Sequence, residues 1–517
     1  MRPCVLPNLK IRRALFTVSD KSGIVELAQA MIHAGTEIVA TGKTALILKA
    51  AGIPVRPIEE VSRSPEAFQG RMKTLSFPVC SGILYRRGDE QDERDLKNLG
   101  FDAIDCVVVN FYPFEKAAAQ AGISASQLIE EIDIGGPTLV RAAAKNSPQV
   151  LVLTDFSQYE KVISELKKQQ SVSAELAHAC ARLAWQKIFE YDQAIYSRMA
   201  LSTLPLRYGE NPHQQGRLEF EESSPIEWSL KLTPNELSYN NILDLTSAYA
   251  LASDLKKKFP HDHAVVIVKH NNPCGVAVSQ VSQINALEKA WEGDPVSAFG
   301  GVLVFSEVLS SDSASYLAER FVELIAAPGL HSASTELAAI SAKRKKLKAV
   351  NILRFSEMPR ETTVRVPGGR LIQTSDLLES EKIESVTLTR FSSEQETLAQ
   401  FGIYVTRALK SNAIALVRAY EHGFQLVGAG QGQPNRIEAL KQLAIPRGLA
   451  TVKGSLGECI MVSDAFFPFR DTVDETAKAG IKFIVQPGGS IKDQESIDAC
   501  NEQGIAMAFT GIRHFKH

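Results

Sequence analysis

Cysteine is sparse in this 517-residue sequence: seven residues, Cys4, Cys80, Cys106, Cys180, Cys274, Cys459 and Cys500, with no CxxC pair. An odd, scattered set excludes a disulfide framework and a zinc ribbon. Charge of one sign is also missing, since 57 Lys and Arg stand against 59 Asp and Glu for a formal charge of -2. No whole-chain field draws nucleic acid or anionic lipid, so any anion must be held locally. The sequence has no apolar run of about 18 residues, the length a spanning helix needs. The opening MRPCVLPNLKIRRALF has no continuous apolar signal core, so a cytosolic protein is expected. Low-complexity tracts and short-period repeats are absent too.

What is present is 44% hydrophobic residues over a length that predicts about three core-forming units. The first stretch alternates strand and helix: Ala14–Val18, a helical face from Lys21 to Ala34, Glu37–Ala40, a helix from Thr44 to Ala51, then an extended segment from Ile53. That βαβαβ order predicts an α/β fold with a parallel sheet. Further strands are expected at Cys106–Asn110 and Val150–Leu153, followed by helices from Tyr159 to Ala200. The expected division is 1–199, with a core over about 14–155, and 200–517, two α/β subdomains split near 370. The second part is expected to hold strands at Ala264–Val268, Val302–Phe305, Gln425–Val427, Ile460–Val462, Phe483–Val485 and Ala506–Phe509. The basic run Lys343–Lys348 reads as a solvated helix end or linker.

Anions bind in α/β sheets where strands end and helices begin. Two such turns lie close together: Ser19, Lys21 and Ser22 after the first strand, and Thr41, Gly42, Lys43 and Thr44 after the second. Either they enclose one phosphate, or Ser19 and Thr41 merely cap helices; the pairing favours phosphate. A Walker A loop is excluded, because its first glycine would fall at Glu37. Arg71, Lys73 and Thr74 set two cations and a hydroxyl beside a turn, Tyr112 follows a strand, and Asp133 precedes a helix carrying Arg141 and Lys145. Together they offer an acid, a base and an oxyanion partner around a phosphorylated substrate.

In the second part, Lys269 and His270 close a very apolar strand, a sound place for a proton-transfer pair. Arg207 and Tyr208 lie in a polar, turn-forming segment, as do the residues around Phe466, Asp471 and Arg513, where aromatics beside Arg and Asp suit a flat heteroaromatic ligand. Pro273-Cys274 matches half of a zinc-deaminase signature, but position 277 is Ala277 and no H-x-E precedes it, so no catalytic metal is expected.

Taken in order, the motifs VSDKSG, GRMKTL, NFYPF, IDIGG, RAAAKN, LRYGENPHQ, YNNILD, VKHNNPCG, DPVSAFGG, KSNAI, GQPNR, SDAFFPFRD, QPGGS and RHFKH closely resemble one family. It is the bifunctional family of late purine biosynthesis that joins aminoimidazole-carboxamide ribonucleotide (AICAR) transformylase to inosinate (IMP) cyclohydrolase. The likeness runs from about Ala14 to His517. It implies an N-terminal methylglyoxal-synthase-like domain, then a transformylase of two cytidine-deaminase-like subdomains without zinc. It also implies a homodimer with transformylase sites at the subunit interface, and 10-formyltetrahydrofolate as formyl donor.

Carried over by position, the resemblance assigns Lys73, Tyr112, Asp133 and Lys145 to the cyclohydrolase, with Thr74 and Arg71 beside them. Ser19, Lys21, Ser22, Thr41, Gly42 and Thr44 surround the phosphate. Lys269 and His270 become the transformylase pair, with the choice of base open, and Asn412 orients the formyl group. Arg207, Tyr208, Asn241 and Arg513 match nucleotide-binding positions, and Phe466 and Asp471 lie near the ligands. Two positions depart from the family pattern. Lys43 replaces the second glycine of a TGGT turn, which either adds a phosphate contact or strains the turn if φ must be positive there. Ser76-Phe77 replaces His-Pro after GRMKTL. The rival readings are a transformylase with an inactive first domain and a noncatalytic purine-nucleotide sensor.

Overall fold

The structure, a computed structural model, describes residues 8–68, 71–120, 122–377 and 381–517. Gly70 of the GRMKTL motif and Cys4 therefore lie outside the described residues. Two compact units divide the chain, Met1–Leu201 and Ser202–His517.

In the first unit, strands β1 (Arg13–Val18), β2 (Glu37–Ala40), β3 (Arg56–Pro57), β4 (Cys106–Asn110) and β5 (Leu151–Leu153) form one sheet in the order β3-β2-β1-β4-β5. Every pairing is parallel. The central strands are unbroken apolar runs because both faces are covered. Phe16 and Val108 pack under the helix Ile24–His33, while Leu15, Val107 and Val109 pack under the helix Gly135–Lys145. The extended segment expected from Ile53 begins as a strand only at Arg56. Ile53 is spent on a Schellman motif that closes the helix Gly42–Ala50: its N–H donates to Leu48 O at 3.0 Å and that of Gly52 to Lys49 O at 3.0 Å. The expected helices after β5 are Tyr159–Gln169 and Ala174–Met199.

The second unit opens with a hairpin, β6 (Ser202–Leu206) and β7 (Gly216–Phe220). It is built on an eleven-stranded sheet that repeats one pattern twice. In the first half, the helix Tyr239–Lys258 precedes β8 (His263–Lys269) and β9 (Asn272–Ser279), an antiparallel pair. The helix Gln283–Gly293 follows, then β10 (Val302–Phe305), β11 (Leu324–Pro328) and β12 (Lys348–Ile352). The hairpin β13 (Glu361–Val366) and β14 (Gly369–Thr374) stands apart with every residue exposed, and the short β15 (Glu384–Ser385) is added at the far edge.

In the second half the helix Ser393–Ala408 precedes β16 (Ile414–Tyr420) and β17 (Gly423–Gly430). After the helix Ile445–Val452 come β18 (Ile460–Ser463), β19 (Phe483–Gln486) and β20 (Ala506–Phe509). In both halves the third strand pairs antiparallel with the first and the last three run parallel. Each hairpin also carries a bulge, at Ile267/Val268 and at Leu416/Val417. The halves join through the antiparallel pair β9 and β17.

Alternation along β8 explains its apolar run. Val266 and Val268 face a layer built on the helices Tyr239–Lys258 and Ser393–Ala408, whereas Val265 and Ile267 face the helix Gln283–Gly293. The basic run is partly structural: Lys343 pairs with Glu319, and Lys348 begins β12 and pairs with Glu323 at 3.1 Å. Among the described residues, no helix is long and apolar enough to cross a membrane.

Candidate active sites

The first site lies at the C-terminal ends of three adjacent parallel strands. Residues after β1, β2 and β4 line a cavity of about 800 Å³, among them Ser19, Lys21, Thr41, Lys43, Thr44 and Tyr112. Capping does not use the two hydroxyls. The cap of the helix Ile24–His33 is Gly23, not Ser19, and Thr41 sits at a cap position without a capping bond, its hydroxyl meeting Thr17 Oγ1 at 3.1 Å. Thr44 Oγ1 bonds back to Val18 O at 3.3 Å, tying the two turns together. Lys21 Nζ donates to Val18 O and Ser19 O at 3.0 and 2.7 Å. Burial, then the nearby charge of Lys43, holds the Lys21 pKa below its usual range. Lys43 leaves the turn unstrained, because the positive φ belongs to Gly42 at 35° and not to Lys43. Ser22 instead bonds to Asp20 Oδ1 at 2.7 Å and is not on the cavity wall.

Lys73, Thr74, Arg71 and Asp133 line the same cavity. Lys73 Nζ pairs with Glu66 at 2.6 Å and crowds the turn after β2: a Cβ at Gly42 would stand 2.7 Å from it. Asp133 lies before the helix Gly135–Lys145, where Oδ1 accepts the Gly136 N–H at 2.9 Å. Burial raises its pKa, and the Gly136 and Gly135 amides oppose that rise. The Asp133 N–H donates to Tyr191 Oη at 2.7 Å, and burial pushes the Tyr191 phenol up to about 12. Arg71 is held by Glu130. Lys145 is not brought to this cavity. It is exposed at the last position of the helix that starts at Gly135, about 15 Å along the axis. The Ser76-Phe77 departure is structural: Ser76 caps the helix Phe77–Leu84, and Phe77 meets Phe101 edge-on.

In the second unit, Lys269, His270, Asn272, Cys274, Asp294 and Arg447 line a smaller cavity of about 180 Å³. Lys269 Nζ donates to Phe299 O at 3.1 Å and Gly300 O at 2.8 Å, so the DPVSAFGG segment is its cradle. Burial pushes the Cys274 thiol up to about 12, which keeps it protonated. No group of three or more His, Cys, Asp or Glu able to hold a metal occurs among the described residues.

Asn412 is not among the residues lining that cavity and sits in a part-buried network. Its Nδ2 donates to Gln433 O and Pro434 O at 2.9 and 3.1 Å, and its Oδ1 accepts from Arg436 Nη2 at 2.9 Å. Arg436 also pairs with Asp464 at 2.9 Å and donates to Phe466 O at 3.0 Å. Asn241 is buried and already committed: Oδ1 accepts the Ser238 N–H in a capping box, and Nδ2 donates to Glu323 at 2.9 Å. Arg207 stacks over Tyr208, Arg513 over Phe515, and Asp471 begins the helix Asp471–Lys478 with its side chain on Thr472 N. Glu66, Tyr191, Arg436 and Asp464 are site partners that the sequence reading missed. Arg436 and Asp464 lay in view within GQPNR and SDAFFPFRD; nothing local marks the other two.

One unit carries a pocket lined by lysines, hydroxyls and a carboxylate on a parallel sheet, and the other a Lys–His pocket, the arrangement of a two-site enzyme. Residues 23–138 match the model of the MGS-like domain, and residues 143–447 match that of the AICARFT/IMPCHase bienzyme. The bifunctional purine biosynthesis protein PurH of Acetivibrio thermocellus is 41% identical, over 98% of this chain and 100% of its own. The proteins of the same name from Ruminiclostridium cellulolyticum and Aquifex aeolicus are 39% and 40% identical over the same shares. The chain belongs to the AICARFT/IMPCHase bienzyme family.

Proposed function

We propose that this chain formylates AICAR with 10-formyltetrahydrofolate in its second unit and closes the formylated nucleotide to IMP in its first. One observation carries the reading: a single cavity unites the half-buried Asp133 carboxylate with Lys73, Lys21 and Lys43 and with the hydroxyls of two adjacent strand-end turns. In ring closure the carboxamide nitrogen attacks the formyl carbon and gives one proton to Asp133, which passes it to the resulting oxyanion; the hydroxyl then leaves as water, taking a second proton from a ring nitrogen as the C=N bond forms. Lys73 stabilises the oxyanion in between, and Tyr112 and Thr74 border the reacting group. Ser19, Lys21, Thr41, Gly42, Lys43 and Thr44 hold the phosphate. Lys145, exposed at the far end of its helix, has no part in this scheme.

In formyl transfer the AICAR amine is a weak nucleophile, its lone pair drawn into the ring. His270 takes the amine proton as the new C–N bond forms. Lys269, donating to two carbonyls, supplies positive charge beside the formyl oxygen. The C–N bond to the folate then breaks, and the folate nitrogen regains a proton. Asn412, fixed by Arg436 and two carbonyls, is the proposed orienter of the formyl group. The protein works as a cytosolic homodimer, and the exposed Val364, Leu371 and Ile372 of the β13–β14 hairpin support self-association.

The deciding assay supplies purified protein with AICAR and 10-formyltetrahydrofolate, follows tetrahydrofolate and IMP separately, and adds the formylated nucleotide alone in a second series. Both products are expected. Tetrahydrofolate without IMP leaves only the transformylase, and neither product leaves a nucleotide-binding protein.

A further inference from the structure

Strands β8 and β9 meet in a two-residue turn, His270–Asn271, and both residues have positive φ, 52° and 62°. Such hairpin turns ordinarily use glycine or asparagine, because a side chain is disfavoured there. A left-handed conformation at a residue with a Cβ persists only where its surroundings over-determine it. Here they do. Asp244 Oδ1 accepts the Asn271 N–H at 2.6 Å. Ser247 Oγ donates to Asn271 O at 3.2 Å, and Asn272 Nδ2 donates to His270 O at 3.0 Å. Side chains thus satisfy three of the four backbone polar groups of the turn. Asp244 and Ser247 are three apart on the helix Tyr239–Lys258, hence on one face. That helix is fixed by the buried Leu245, Ala248 and Tyr249 and by the Ser238–Asn241 capping box.

We propose that Asp244, seconded by Ser247, is a positioning residue for His270: it holds the left-handed turn that aims the imidazole into the transfer cavity. The inference rests on His270 being the proton acceptor of formyl transfer. Asp244 grips the turn's backbone, so its loss should lower kcat while nucleotide affinity stays. A displacement of about 1 Å at a reacting group costs on the order of 100-fold in rate.

The test uses the full chain, with kcat and KM for AICAR in formyl transfer, and ring closure as internal control. Asp244→Ala should lose about 100-fold in kcat with KM changed less than about threefold. Asp244→Asn, which keeps an acceptor oxygen, should stay within about fivefold of the parent. Adding Asn271→Gly to Asp244→Ala should restore kcat at least about tenfold, because glycine adopts positive φ unaided. A structural defect elsewhere would not answer to that rescue. Parental kcat in Asp244→Ala, or no rescue by Asn271→Gly, overturns the inference. His270→Ala tests the underlying reading alone: parental turnover there removes the catalytic assignment, whereas its loss beside an active Asp244→Ala removes only the positioning role. If Asp244→Ala does not fold, Ser247→Ala decides. A kcat loss of about threefold reversed by Asn271→Gly is expected, and an unchanged kcat refutes the proposal.

Discussion

The Asp133 carboxylate occupies the space that a side chain at position 136 would need: a Cβ on Gly136 would stand 2.4 Å from Asp133 Oδ2 and 3.1 Å from its Cγ. The same methyl would meet Val109 Cγ1 at 3.2 Å, so it has no room to lean away. Gly136→Ala should therefore turn the carboxylate out of line and cut ring closure about 100-fold. The helix itself should survive, since alanine is the better helix former. IMP formation from the formylated nucleotide measures the effect, with formyl transfer as control. Undiminished IMP formation would remove Asp133 from the chemistry.

Asp133 should also trade stability for activity. Burial raises its pKa, so ionising it in the folded state is harder than in the unfolded chain, and its charge opposes folding above that raised pKa. Asp133→Asn removes the charge and keeps an oxygen for the Gly136 amide. Tm at pH 7 should rise, the gain should fade below about pH 4, where the carboxyl is protonated in both states, and ring closure should fall by about 10²–10⁴-fold. Melting curves at the two pH values, beside the IMP assay, check all three.

Ala264–Val268 and Cys106–Val109 were legible as strands because a run of β-branched residues covered on both faces has few other uses. Strand β9 was not: Asn272-Pro273-Cys274-Gly275 reads as a turn, and Pro273 is tolerated in a central strand only because it stands at the bulge opposite Val268. That the two turns after β1 and β2 share one cavity was legible from glycine, hydroxyl and lysine following apolar runs. The partners that tune the sites were not, because packing makes them neighbours: Tyr191 reaches Asp133 across 58 residues, and Arg436 reaches Asp464 across 28. Asn241, which the resemblance matches to a nucleotide-binding position, closes the capping box with Ser238, a use of its amide that the sequence does not display.

Lys43 should act on the phosphate. It stands near enough to Lys21 to oppose that ammonium's charge, and an incoming dianion relieves the repulsion. Lys43→Gly should raise KM for the formylated nucleotide about five- to tenfold, the size of one charge-assisted contact, with little change in kcat. The variant should also flatten the rise of KM with salt. KM measured from low to high ionic strength separates this from a local folding defect, which would lower kcat too.

His514 should make the second unit sensitive to alkali. Its ring lies buried between two carboxylates, Nδ1 at 2.7 Å from Asp376 Oδ2 and Nε2 on Glu381 Oε1, and only the protonated ring donates from both nitrogens. Burial alone would lower its pKa, but the two carboxylates outweigh it and push it up to about 9. Because the folded value exceeds the ordinary 6.5, the stabilisation is complete below about pH 6.5 and is lost as pH rises through about 9. Its upper bound is roughly 3 kcal/mol. Lys516 tilts the other way. Burial, then Lys410 and Arg407, lowers it from 10.5 to about 8, so relief of its buried charge adds stability between those values. The difference between parent and His514→Gln cancels the Lys516 contribution. Denaturant unfolding from pH 6.5 to 10 should show that difference shrinking through pH 9, and a constant difference would mean that His514 does not carry the charge between Asp376 and Glu381.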